Sequence, residues 1–174
     1  RTTGLLLVHS INPWGMKYHR RVNDNNIDLN RNFLWDASFD PTFNPEYDSI
    51  VEAYDPAKPI RSFALSNLAF YASSLWFLTQ QSFSSLNHTF LIGQYRNPQG
   101  LHYGGEDYEP ETRLLIDLYR QALGAYAQIL HLDMHTGYGP RYQMSIVNSA
   151  LEKGTSKSFA EKFDYPLVVA ANPE

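Results

Sequence analysis

Tyr142-Gln-Met-Ser-Ile-Val-Asn148, Ser156-Lys-Ser-Phe-Ala-Glu-Lys-Phe163 and Tyr165-Pro-Leu-Val-Val-Ala-Ala171 read in order as strand, helix and strand. Two strands joined through a helix point to a parallel pairing, because a parallel neighbour is reached only by a crossover. Working towards the N-terminus, the same alternation continues. Gln128 to Met134 reads as a further strand that runs into the sharp turn His135-Thr-Gly-Tyr-Gly-Pro140. Before it, Glu109-Pro110-Glu111 opens a helix, its acidic residues matching the positive end of the dipole. Leu114, Leu115, Leu118, Ala122 and Tyr126 form the stripe expected to be buried. Gly93 to Gly105 is a loop rich in Gly and aromatics. A helix is expected from Pro59, with Leu65, Leu68, Ala69, Ala72, Leu75 and Trp76 as its core face, and a second helical stretch from Gln80 towards Phe90. Leu5 to Ile11 is a continuous apolar run read as a strand, ended by Asn12-Pro13-Trp14-Gly15. The expected fold is α/β, a mixed and largely parallel sheet flanked by helices, in one domain over residues 1–174. Both ends run through expected strands, so the chain reads as an internal portion of a larger domain.

Composition narrows the function. The 174 residues are 43% hydrophobic, enough for a real core. A net charge of −4 with 14 Lys and Arg leaves no basic stripe for phosphates, so nucleic acid is not an expected partner. The absence of cysteine removes disulfides, thiolate metal sites and thiol nucleophiles, so any metal must take His, Asp or Glu. It does not choose between a reducing and an oxidising compartment. The apolar run near the N-terminus is too short to span a membrane.

Two constellations carry candidate chemistry. In His131-Leu-Asp-Met-His135 a strand would separate the two histidines by roughly 13 Å, so only one would reach a given metal. His135 is the better candidate, since ligands gather outside the carboxyl ends of strands, and Asp133 shares its face. A single His there is, on spacing alone, more often a hydrogen-bonded core residue. The second constellation is Arg20, Arg21, Asn30 and Arg31, in a loop too rich in Asn for a helix interior. The planar arginine fork reads a carboxylate with two parallel hydrogen bonds, and a second arginine would stabilise an oxyanion formed at an acyl carbon. Without further support a solvated basic loop is the simpler reading.

The runs His9-Ser-Ile-Asn-Pro13-Trp-Gly15, Arg20-Arg21-Val-Asn23, Asp28-Leu-Asn-Arg-Asn-Phe33 and Asp133-Met-His-Thr-Gly137 add that support. Their order resembles the zinc carboxypeptidase superfamily, in particular its bacterial branch near succinylglutamate desuccinylase and aspartoacylase. Gly93-Gln-Tyr95 with Pro98, Gly100, Leu101 and Tyr103-Gly-Gly105 is similar to a loop of the same branch. The resemblance implies a zinc ion with His135 as a ligand, Asn30 and Arg31 as binders of a substrate carboxylate, and either Arg21 or Arg20 polarising the scissile carbonyl. It also implies a zinc-activated water with a late glutamate as general base. The family's early His-x-x-Glu, which supplies its first two ligands, is missing from this chain. Glu152, in Glu152-Lys-Gly-Thr155, comes too soon after His135 for the base and reads as a surface turn residue, with the base expected beyond Glu174. The function expected is hydrolysis of an amide bond next to a free carboxylate, in a peptide or N-acyl amino acid. The alternative is a metal-free relative that binds carboxylates or peptides without catalysis.

Overall fold

The computed structural model describes residues 3–48, 51, 62–80, 89, 91–135, 141–148 and 154–170. Chain packing divides the molecule into two units, Arg1–Ala127 and Gln128–Glu174. The architecture is mixed α/β, with several helices and a small two-stranded parallel sheet.

Helix starts in the first unit follow from local capping. Asn12 accepts from the Gly15 amide at 2.8 Å and Pro13 opens α1 (Pro13–Tyr18), which ends at His19 in the left-handed conformation. Asp28 caps α2 (Leu29–Asn32), a single turn inside a segment whose asparagines point to a loop. The cap accepts from the Asn30 amide at 3.2 Å and so starts the turn. α3 spans Phe63–Gln80 and α4 spans Pro110–Leu123, opened by Pro110 as its sequence implies.

The core of this unit is unusual in its chemistry. Ile27, Tyr47, Tyr95, Tyr103 and Leu115 are buried beside Asn23, Asp28, Asn32, Asn44, Gln94 and Thr112. Loops 20–47 and 93–109 are therefore knotted by side-chain amides bonded to backbone, and an apolar layer plays the smaller part. The face of α3 expected to be core is exposed: Leu65 and Leu68 at 68%, Leu75 at 67% and Trp76 at 64%. Helical periodicity says which residues share a face, and nothing about what covers it. Likewise Leu115 of α4 is buried while Leu114 is exposed. Leu5 to Ile11 is exposed and carries no strand pairing among the described residues. An apolar run becomes a strand only where a neighbour accepts its backbone hydrogen bonds.

In the second unit, β1 (Ile146–Asn148) and β2 (Val168–Ala170) pair in parallel, with Ile146 opposite Val168 and Asn148 opposite Ala170. The crossover is α5 (Ser156–Phe163), whose N-cap Thr155 accepts from the Ser158 amide at 3.2 Å. Asp164 ends it in the left-handed conformation, and the Tyr165 hydroxyl donates to the Met144 carbonyl. Asn148 ties the end of β1 to the approach of α5 by donating to the Gly154 carbonyl at 2.9 Å. The strand expected over Gln128 to Met134 is not formed among the described residues. The helical stretch expected from Gln80 to Phe90 falls mostly outside the described residues, as do Glu152 and the Thr136-to-Pro140 turn. Among the described residues no helix is long and apolar enough to cross a membrane.

Candidate carboxylate site

The site begins with a loop closed on itself. The Asn23 side-chain oxygen accepts from the amides of Asn25 (3.1 Å) and Ile27 (3.0 Å), and its own amide bonds the Ile27 carbonyl at 2.9 Å. Asn26 takes the left-handed conformation that this turn needs, which asparagine tolerates better than most residues. The Asn23 and Asn25 side chains both donate to Glu109 at 2.7 Å, which ties the loop to the start of α4. The chain is thereby delivered in a fixed direction into Asp28.

Asp28 is 2% exposed, and its backbone amide and its carboxylate are both held by hydrogen bonds. Its backbone amide donates to the Tyr103 carbonyl at 2.8 Å, and one carboxylate oxygen accepts from the Asn30 amide at 3.2 Å. The other oxygen is shared by Arg21 Nε at 2.7 Å and His102 Nδ1 at 3.2 Å. Burial alone would raise the Asp28 carboxyl. The hydrogen bonds from His102 and Arg21 and the charges of Arg21 and Arg31 outweigh it, and hold the group below the usual carboxylate range.

Arg31 follows on α2. Burial lowers its guanidinium, opposed by the Asp28 charge, yet arginine stays cationic. One terminal nitrogen donates to the Asn30 carbonyl at 3.1 Å, while Nε is buried and has no hydrogen-bond partner among the described residues. Tyr95 donates to the Arg31 carbonyl at 2.8 Å, and the same surroundings raise its phenol, through burial first and the Asp28 charge second, against the lowering pull of Arg31. The site thus holds two guanidinium groups and one buried carboxylate, a net excess of one positive charge before His102 is counted. Such an arrangement is suited to a monoanion.

A second layer holds these groups. Gln94 closes the 94–102 loop by accepting from the amides of Arg96 and Asn97 at 2.8 and 2.7 Å, and it donates to the Asn97 carbonyl at 2.8 Å. Asn44 donates to the carbonyls of Thr89 and Gly93. Gly93 has φ +78°, and a Cβ there would lie 2.8 Å from the Arg31 Cδ and 2.9 Å from the His102 carbonyl. The Arg31 stem needs that space. Gly93→Ala is therefore expected to lose about 1–3 kcal/mol from left-handed strain and crowding. It should destabilise the fold more than an Ala substitution at exposed Gln99, as urea unfolding would measure.

Of the residues singled out in the sequence, Arg21 bonds Asp28 directly, while Arg31 only feels its charge. Arg20 is exposed and makes no ion pair among the described residues, and Asn30 lends its backbone amide to Asp28 and its carbonyl to Arg31. His135 lies in the second unit, 60% exposed, with Nε2 at 2.8 Å from Asp133. No three His, Asp or Glu side chains among the described residues come together to hold a metal ion. With Nε2 turned to Asp133, the described residues do not fit a zinc site. Asp28, His102 and Tyr95 carry the arginine site beyond what sequence reasoning assigned. Asp28 had a local signal, an acidic residue just ahead of Asn30-Arg31; His102 had none.

No curated protein and no solved structure matches the chain. Residues 1–168 match the family described as a protein of unknown function, DUF2817. The match covers nearly the whole chain and both units, so the chain belongs to the DUF2817 family.

Proposed function

We propose that the Arg21–Asp28–Arg31 cluster binds the free carboxylate of a peptide or N-acyl amino acid, as part of an amide hydrolase with a zinc carboxypeptidase-like fold. The carrying observation is the buried Arg31 Nε, which has no hydrogen-bond partner among the described residues, near a second guanidinium that Asp28 holds. An unmet donor on a buried cation costs about 1–3 kcal/mol, which favours an anionic acceptor. In this reading Arg31 clamps the carboxylate, assisted by the exposed Asn30 amide. Arg21, fixed by Asp28, faces the adjoining carbonyl and stabilises negative charge that builds on its oxygen. The zinc ion and the His135 ligand that the resemblance implies are a separate expectation, because the described residues do not fit a zinc site.

One observation favours the second reading, binding without catalysis. The arginine site is built wholly within the first unit, from groups that hold one another. Calorimetry with N-acetylalanine and its methyl ester, followed by assay of amine release with zinc supplied, separates the two. Carboxylate binding with turnover supports the hydrolase, and zinc content should fall in His135→Ala. Binding without turnover leaves the binding protein. Arg31→Ala is expected to weaken the carboxylate by about 10–150-fold, the worth of a charge-assisted bond, with Arg31→Lys recovering only part. Equal affinity for acid and ester, or no effect of Arg31→Ala, would remove both readings.

A further inference from the structure

His102 is the group at this site that carboxylate binding leaves unused. Its Nδ1 is 3.2 Å from the Asp28 oxygen that also accepts from Arg21 Nε, so the imidazole and the Arg21 guanidinium flank one atom. An ionised carboxylate only accepts, so Nδ1 carries the hydrogen and Nε2 of the neutral ring becomes an acceptor. Nε2 has no hydrogen bond among the described residues, and the ring is partly exposed. Gly93 brings the pieces together, since a Cβ there would touch both the Arg31 stem and the His102 carbonyl. An acceptor thus stands beside two carboxylate-binding cations.

We infer that His102 is a specificity-determining residue that accepts a hydrogen bond from an N–H borne on the carbon next to the ligand's carboxylate. The inference rests on the carboxylate reading given above. The arginines read the acid and His102 reads the nitrogen two bonds away, so the site selects acylated amino acids and peptide C-termini over simple carboxylates. A site that offers an acceptor to a donor rejects the analogue that lacks it, because the acceptor is left unpaired.

The test is built on the backbone as well as the ring. His102 has φ 54°, a left-handed conformation that Asn tolerates better than most residues. His102→Asn also keeps a side-chain N–H near the Nδ1 position, so it preserves the bond to Asp28 and deletes only Nε2. Calorimetry would compare N-acetylalanine with N-acetyl-N-methylalanine on both proteins, with urea unfolding as a check on His102→Asn. The wild type is expected to prefer the N–H ligand by about tenfold, one neutral hydrogen bond. The Asn variant should lose that preference and retain its affinity for the methylated ligand. A wild-type protein that binds both ligands equally would overturn the role of His102 alone, as would a folded Asn variant that keeps the preference. Binding of neither ligand would overturn the carboxylate reading, and this role with it.

Discussion

Asn32→Asp is expected to lower the unfolding free energy by about 4 kcal/mol, near the upper end for single substitutions. Asn32 is 0% exposed and all of its side-chain capacity visible in the fold is used. Its amide donates to the carbonyls of Gly104 and Asp107, each at 2.8 Å, and its oxygen accepts from the Glu109 amide at 2.8 Å and the Thr112 hydroxyl at 2.6 Å. Aspartate has the same shape and keeps the acceptor. It replaces the donor with a carboxylate oxygen that faces two carbonyl oxygens in a fully buried position. Two orphaned carbonyls at about 1–3 kcal/mol each, with repulsion added, set the size of the loss. Asn32→Ala removes all four bonds but introduces no charge, so its loss should be somewhat smaller, about 3 kcal/mol. Urea unfolding followed by circular dichroism measures both. A loss under about 1 kcal/mol for the aspartate variant would mean that this amide does not hold loop 104–109 to α2.

Asp28→Asn is expected to cost about 2–3 kcal/mol at neutral pH, and the difference from the wild type should shrink in acid. The variant keeps an oxygen to cap α2. It loses the charge-assisted bonds to Arg21 and His102, worth about 1.5–3 kcal/mol. The pH dependence follows from the direction of the Asp28 shift. Its folded value lies below that of the unfolded chain, so its contribution is complete above the ordinary aspartate range, around pH 4. It is lost as pH falls through the lowered folded value, because the unfolded state then binds the proton more readily. Stability curves of wild type and variant from pH 7 to pH 2 should therefore converge at the acid end. Parallel curves would show that Asp28 is not held as a paired carboxylate.

The same residues divide what sequence reasoning reached from what it missed. The start of α4 was legible because a proline at the first turn acts within the helix it opens, whereas the threonine cap of α5 emerged only in the structure. The β1–α5–β2 unit was legible because alternation of short apolar runs with a helix leaves parallel pairing as the short solution. The Asn30-Arg31 pair stood out as a motif. The choice between Arg20 and Arg21 did not, since neighbouring side chains diverge and only the return of the chain to Asp28 selects one of them. The exposed face of α3 and the 128–134 segment, which forms no strand among the described residues, were misread for a related reason. Their patterns state a preference for burial or pairing, and a preference does not supply the partner.

By itself, then, the sequence determined the local elements, the mixed α/β class, the exclusion of thiolate chemistry and the arginine-bearing loop, because each of these depends on neighbours a few residues apart. Tertiary structure alone decided that Asp28 gathers Arg21 and His102, that Asn32 binds loop 104–109, and that Gly93 makes room for Arg31. Contacts of this site join residues up to 86 positions apart, Asn23 and Glu109 being that pair. Contacts at that separation have no spacing rule: a buried amide or carboxylate accepts whichever donors the folded chain brings within reach.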